Sequence, residues 1–330
     1  AIYGQSWLQR LVLPPGLLVV IEQWRASWAA EGLRLFARLG VADVLAAGPR
    51  GGMNAEAIAA KIQADAPSLQ RLLRLCASIT EVAPVSMTVP RSGAPPLFRL
   101  TAAGRSMVTD APMGVRHAVM SPGLPWQARS RLHVFDAIKT GKPAFTFAWK
   151  GCRTFTEAAQ LADKQAGEPK ASGACIDVPS ECNVFNLGMS ECSSIFSPLI
   201  AGFYNWSKFE RIADVGGGNG SLLRSILKYH PKIKQAISLD LPAVIDACPA
   251  DSGHPSLTLA RGNFFELMPE INGCDAIIMR HILHDWSDEQ CAEILSHVRM
   301  CLTPRAKLVV AEMVVGSSCL NVGRMIPLAL

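Results

Sequence analysis

No segment of this 330-residue chain is long and apolar enough to span a bilayer: the longest apolar run, Leu11 to Ile21, is interrupted by Pro14, Pro15 and Gly16 and falls short of the roughly 20 residues required. A membrane partner is therefore not expected. The ten cysteines include no C-x-x-C pair, and no secretory leader is recognised. Reduced thiols and a cytoplasmic location are the expectation. Charge is also sparse, with 32 basic against 27 acidic residues and a net +5, too mild a balance to nominate nucleic acid as a partner. What is present is an ordinary globular composition, 49% hydrophobic and 18% charged, at 35.5 kDa. That size favours two domains over one.

The first 110 residues read as helical with one hairpin. Apolar positions from Trp24 through Trp28, Leu33, Phe36, Leu39 and Val41 to Leu45 carry the mixed three- and four-residue spacing of an amphipathic or buried helix pair. Asn54 can cap a helix through Ala57, Ile58 and Ile62, and Pro67 with Ser68 opens another that carries Leu69, Leu72, Leu73 and Cys76. Two strands, 85–89 and 97–100, flank a tip containing Pro90, Gly93, Pro95 and Pro96. Helix, helix and hairpin make a winged helix. Over residues 54–100 five basic side chains (Lys61, Arg71, Arg74, Arg91, Arg99) meet three acids (Glu56, Asp65, Glu81), so packing or dimerisation is favoured over DNA binding. Residues 111–200 read as a helical linker with a polar loop at 162–180.

From residue 201 the pattern becomes alternating strands and helices. Short apolar runs at 209–215, 235–240, 257–259, 274–279 and 306–312 predict an α/β fold, a parallel sheet with helices on both faces and the ligand at the carboxyl ends of the strands. The first run enters Gly216-Gly217-Gly218-Asn219-Gly220 and then a helix from Ser221, a turn that lets a ligand approach the backbone and a helix N-terminus. Position 221, where the dinucleotide fingerprint needs its last glycine, is Ser221, which makes NAD the weaker fit. Asp240, at the end of the next strand, is placed to accept hydrogen bonds from a ribose.

With these motifs the chain resembles the S-adenosylmethionine-dependent O-methyltransferases of the caffeate and hydroxyindole (acetylserotonin) type. The matching stretches are Asp214 to Gly220, Leu239-Asp-Leu-Pro242, Gly262-Asn-Phe-Phe265, and His281-Ile-Leu-His-Asp-Trp-Ser-Asp288, with weaker similarity over the winged helix and over 135–143. The resemblance implies a Rossmann-like methyltransferase sheet preceded by a mainly α, winged-helix dimerisation domain, and a homodimer. It implies S-adenosylmethionine as cofactor, S-adenosylhomocysteine as product, no metal, and a small hydroxyl compound as acceptor. Asp214, Gly216, Gly218, Asp240 and Leu241 would hold the methionyl and ribose parts. Phe264 and Trp286 would cover the two faces of the adenine. Asn263 replaces the family's Asp near the adenine amine, and Arg280 stands where relatives often have Lys. His284 would be the general base, since an imidazole with a pKa near 6.5 is a usable proton acceptor at neutral pH. Glu312 would orient it, and Met189 and Asp285 would face the acceptor.

The same resemblance implies a helix, a further acid and two closing strands past Val315. The chain reads as shortened there, with an open sheet edge. Catalytic inactivity with retained cofactor binding is the leading alternative, motivated by Asn263 and that shortening, and a winged-helix regulator is the remaining one. His281 and His284 lie three apart, the start of a metal site, but no third ligand accompanies them in sequence. His281 reads as structural. Cys152, Cys175, Cys182 and Cys192 read as unpaired thiols.

Overall fold

The computed structural model describes residues 14–79, 83–152, 154–166, 180–246, 248, 253–313 and 325–329. The chain forms two compact units, Ala1–Cys192 and Ser193–Leu330.

In the first unit, α1 (Pro15–Arg38) starts on a proline, whose missing N–H would have had no partner in the first turn anyway. It ends before Gly40, whose φ of 63° turns the chain into α2 (Val41–Ala46). Asn54 caps α3 (Ala55–Ile62) by accepting from Ala57 N–H at 2.9 Å. The next helix, α4 (Ala66–Ala77), begins one residue before Pro67 because Asp65 caps it, accepting from Ser68 N–H at 2.9 Å. Strands β1 (Val85–Thr88) and β2 (Leu97–Leu100) pair antiparallel, with Val85 opposite Leu100. Phe36, Ile58, Leu69, Leu73, Cys76 and Phe98 form the buried centre of this helix–helix–hairpin assembly. The α1 pattern divides: Phe36 and Ala37 are buried, whereas Leu17, Val20, Trp24, Trp28 and Leu35 are exposed, the two tryptophans by 66% and 61%. Their spacing of three, four, four and seven residues lines them along one side of the helix.

One expectation needs correction here. The helix Phe155–Ala166 runs into the stretch read as a loop at 162–180, because Ala158, Ala159 and Ala162 are buried at helical spacing; residues 167–179 lie outside the described residues. A long helix, α5 (Glu181–Phe203), follows and passes through the division between the units.

The second unit is a six-stranded sheet in the order β5-β4-β3-β6-β7-β8, built from β3 (Arg211–Val215), β4 (Gln235–Asp240), β5 (Leu257–Arg261), β6 (Cys274–Arg280), β7 (Leu302–Met313) and β8 (Met325–Ala329). The first five are parallel. Alternate residues feed opposite faces, as period-two geometry requires. Ile212, Ala236, Ala276 and Ile278 pack with Leu222, Leu223 and Ile226 of α6 (Ser221–Tyr229). Ala213, Val215, Ile237, Ile277 and Met279 pack with Ile294 and Val298 of α7 (Asp288–Cys301), a helix started by a Ser287/Gln290 capping box. Strand β7 begins at Leu302, four residues before the expected start. The sheet edge expected to be open is paired: β8 runs antiparallel to β7, with Val309 opposite Ala329. Among the described residues, no helix is long and apolar enough to cross a membrane.

Candidate active site

Strand order reverses between β3 and β6, and ligands of open α/β sheets bind outside the carboxyl ends of the strands at such a point. There β3 delivers the glycine turn and β6 delivers Arg280 and the residues after it. The three glycines have separate reasons to be glycine. A side chain on Gly216, at φ 72°, would strike Ile282 at 2.3 Å, and one on Gly217 would meet Ser238 Oγ at 2.4 Å and the Asp214 carboxylate at 2.9 Å. Gly218, at φ 57°, faces open space. Two are therefore required by the protein's own packing and the third borders room for a ligand.

Asp240 ends β4 and shapes this turn. One carboxylate oxygen accepts from Gly218 N–H and the other from Leu241 N–H, both at 2.8 Å, and each oxygen keeps a lone pair for a further donor. Burial raises its pKa, opposed by the Leu241 and Gly218 amides. Asp214, 1% exposed, has no hydrogen-bond partner on either oxygen. Burial pushes its carboxyl up to about 7, with the Arg280 charge pulling down and that of Asp240 pushing up. The Arg280 guanidinium is held by neutral groups, donating to Ser197 Oγ at 2.9 Å and Ser193 Oγ at 2.8 Å, one turn apart on α5.

Beyond β5, Asn263 holds its own turn: its amide oxygen accepts from Phe265 N–H at 3.1 Å and its NH2 donates to Glu266 at 3.2 Å. Phe264 and Trp286 meet edge-to-face at 5.7 Å and 78°, and Phe265 meets Trp286 at 4.7 Å and 81°. The two rings assigned to opposite adenine faces thus touch each other, with Phe265 as an unanticipated third member.

The turn after β6 carries the chemistry. His284 Nδ1 lies 3.0 Å from Glu312 Oε2, and His284 Nε2 lies 3.6 Å from Asp285 Oδ1. Glu312, near the end of β7, is fixed through its other oxygen, which accepts from Ile282 N–H at 2.9 Å and Leu283 N–H at 3.0 Å. Its Oε2 is buried and accepts no aligned hydrogen bond, so the contact with His284 is one of proximity. Asp285 has a raised pKa, chiefly from burial, opposed by His284 and reinforced by Glu312.

The structure places His281 beside a residue that sequence spacing does not connect to it. His281 Nδ1 lies 3.6 Å from the same Glu312 oxygen, so Glu312, thirty-one residues away, completes a cluster with His281 and His284. Met189 belongs to the first unit and is 45% exposed. Cys152 is a free thiol; Cys175 lies outside the described residues. Sequence reasoning missed Ile282, Ser193, Ser197 and Ser238, which act through contacts across the fold and leave no spacing signal.

A doubly wound sheet with a glycine turn and a ribose-type carboxylate at its switch point defines a nucleotide-cofactor enzyme class, and the imidazole and carboxylate beside it add proton-transfer capacity. Comparison with known proteins makes this specific. Residues 158–322 match the O-methyltransferase domain, and residues 22–110 match the O-methyltransferase dimerisation domain. The chain is 30% identical to O-demethylpuromycin-O-methyltransferase of Streptomyces alboniger, over 86% of this chain and 68% of that protein. It is also 30% identical to nicotinate N-methyltransferase 1 of Glycine max, over 89% of this chain and 77% of that protein. Among solved structures, the O-methyltransferase NcsB1 from neocarzinostatin biosynthesis, in complex with S-adenosylmethionine and 2-hydroxy-5-methyl naphthoic acid, aligns with a TM-score of 0.62 at 25% identity, covering 88% of this chain and 81% of that one. The chain belongs to the O-methyltransferase family, enzymes that use S-adenosylmethionine.

Proposed function

We propose that this protein methylates a hydroxyl of a small aromatic acceptor, with His284 as general base and Glu312 as the group that orients it. The observation that carries the reading is the 3.0 Å approach of Glu312 Oε2 to His284 Nδ1, with the other oxygen of the same carboxylate anchored by two backbone amides. Glu312 favours the tautomer with a proton on Nδ1, leaving the Nε2 lone pair free to take the acceptor's proton. The imidazolium then formed is stabilised by the same carboxylate.

The residues at the switch point suit S-adenosylmethionine. Gly218 borders open space, Asp240 retains acceptor capacity, and Asp214 offers an unpaired carboxylate to a cationic group. When bound, the cofactor supplies a methyl group on a positive sulfur, open to in-line attack by the acceptor oxygen. The chain's part is to align the acceptor and remove its proton, and alignment alone can lower the barrier by several kcal/mol, within the roughly 7–11 kcal/mol reachable from orientation. The exposed face of α1 supports a homodimer in which a second copy covers it. The free thiols suit the reducing cytoplasm.

Kinship with a nicotinate N-methyltransferase favours one further reading, a ring nitrogen as acceptor. A nitrogen lone pair needs no proton removed, so the two readings differ at His284. Labelled S-adenosylmethionine offered with phenols, naphthols, indoles and pyridine carboxylates tests both. Product on a phenolic or naphtholic oxygen supports the first reading; transfer only to ring nitrogen overturns it. Calorimetry with S-adenosylhomocysteine and NAD tests the cofactor separately, and tight NAD binding without any S-adenosylhomocysteine response would sink it.

A further inference from the structure

Two imidazoles and a carboxylate converge on the turn after β6. His284 Nδ1 and His281 Nδ1 lie 3.0 and 3.6 Å from one oxygen, Glu312 Oε2, and one donor atom from each of the three residues falls within 4.8 Å of the other two. That oxygen is buried and accepts no hydrogen bond. The imidazole rings stand 5.5 Å apart, inclined by 31°. A tetrahedral zinc-type ion, with arms of about 2.0–2.1 Å, holds its donors about 3.4 Å from one another. The two measured edges bracket that spacing.

We propose that these three residues form a binding site for a divalent transition metal of the zinc or cobalt type, and that its occupation silences the transferase. Two imidazoles and one carboxylate are donors that such ions accept, and a fourth position stays open to water. The second Glu312 oxygen is held by the Ile282 and Leu283 amides, the outer support that ligating carboxylates require. His281 is in a left-handed conformation, φ 54°, uncommon for a residue with a side chain. Orienting His284 requires only Glu312; a second imidazole on the same oxygen is unexplained by that task.

Silencing follows from proton placement. A metal on Nδ1 of His284 fixes the ring's remaining proton on Nε2, so that nitrogen ceases to be an acceptor, and Glu312 is drawn to the ion. No net proton is gained or lost by the two neutral imidazoles. This consequence rests on His284 being the base, whereas the binding does not.

Cobalt(II) titration of the full, untagged chain, read by visible d–d absorption, tests the site. The expected result is one ion per chain, no thiolate charge-transfer band, and displacement by zinc. His281→Asn is the informative variant, because asparagine tolerates left-handed backbone. It should weaken cobalt binding by about 100-fold or more, beyond the roughly 10–100-fold that losing an outer-shell partner costs, while S-adenosylhomocysteine calorimetry reports that the fold persists. Glu312→Gln should act in the same direction. Zinc should stop methyl transfer by the wild type, chelator should restore it, and the rate of His281→Asn, whatever its value, should not respond to the same zinc concentration. A thiolate-type spectrum, cobalt affinity unchanged in His281→Asn, or no binding at millimolar ion overturns the proposal. Cobalt binding that follows the His281→Asn pattern supports the site even where no acceptor is methylated, an outcome that instead counts against the function proposed above.

Discussion

In the helical unit α1 holds a row of apolar side chains in water, whereas the sheet unit holds a buried pair of carboxylates at its switch point. On α1, Trp24 and Trp28 are 66% and 61% exposed, a stripe that nothing among the described residues covers. In the sheet unit Asp214 and Glu312 Oε2 are buried without hydrogen-bond partners, although leaving a buried polar atom unpaired usually costs about 1–3 kcal/mol. Each unit is thus incomplete in a different chemistry. Exposed aromatics in a row are satisfied by another protein surface, and buried lone pairs by a small polar or cationic ligand. The comparison teaches that a site and an interface can both be located by what the fold leaves unsatisfied.

The largest effect that sharpens this contrast is expected at His284. His284→Ala should lower turnover by roughly 10²–10⁴-fold with S-adenosylhomocysteine affinity nearly unchanged, and Glu312→Gln should lower it less, by removing orientation and not the base. Full turnover in His284→Ala would move the proton-transfer role elsewhere. Next comes the interface: Trp24→Glu combined with Trp28→Glu should convert the dimer to a folded monomer in light scattering, since aromatic anchors at an interface centre contribute about 2 kcal/mol or more each. A dimer that survives both changes would break the comparison on the helical side.

Asp240→Ala should then weaken cofactor binding by roughly 1–3 kcal/mol, read by calorimetry, with the dimer unaffected. A last effect concerns Asp214, whose carboxyl is pushed up to about 7 by burial from about 3.9 in an unfolded chain. Between those values the native state holds a proton that the unfolded state has released, so stability falls as pH rises from about 4 to 7 and levels off above, by at most about 1.4 kcal/mol per pH unit. Asp214→Asn should flatten that slope in denaturant titrations of the ligand-free protein. An unchanged slope would show that Asp214 stays ionised and is satisfied in another way.

How much of this was legible depends on how local the cause is. Strand 235–240 and the Asn54 cap follow from neighbours in sequence and stand where the pattern predicts. The apolar spacing of α1 was equally legible, but it is the same whether the covering surface belongs to this chain or to another. His281 looked structural because its partner is thirty-one residues away and its backbone turn at φ 54° has no sequence signature in a non-glycine residue. Arg280 stands where relatives of the resembled family often have lysine, and nothing local announces its two serine contacts, 83 and 87 residues distant. The start of the expected 162–180 loop failed for a simpler reason: Lys, Asp and Gln on the outer side of a helix resemble the polar content of a loop.

The glycine turn has one more consequence. Gly216 and Gly217 are pressed by Ile282, Ser238 and Asp214, and Gly218 N–H is already committed to Asp240, so the backbone that borders the open space is set before any ligand arrives. A loop ordered in advance has little conformational entropy left to lose at the moment of association. Drift at Gly216 or Gly217 would therefore be opposed by folding itself, whatever the chain binds. Gly218 has room beside it for a side chain, but its φ of 57° strains any residue other than glycine, so a substitution there would disturb the turn itself.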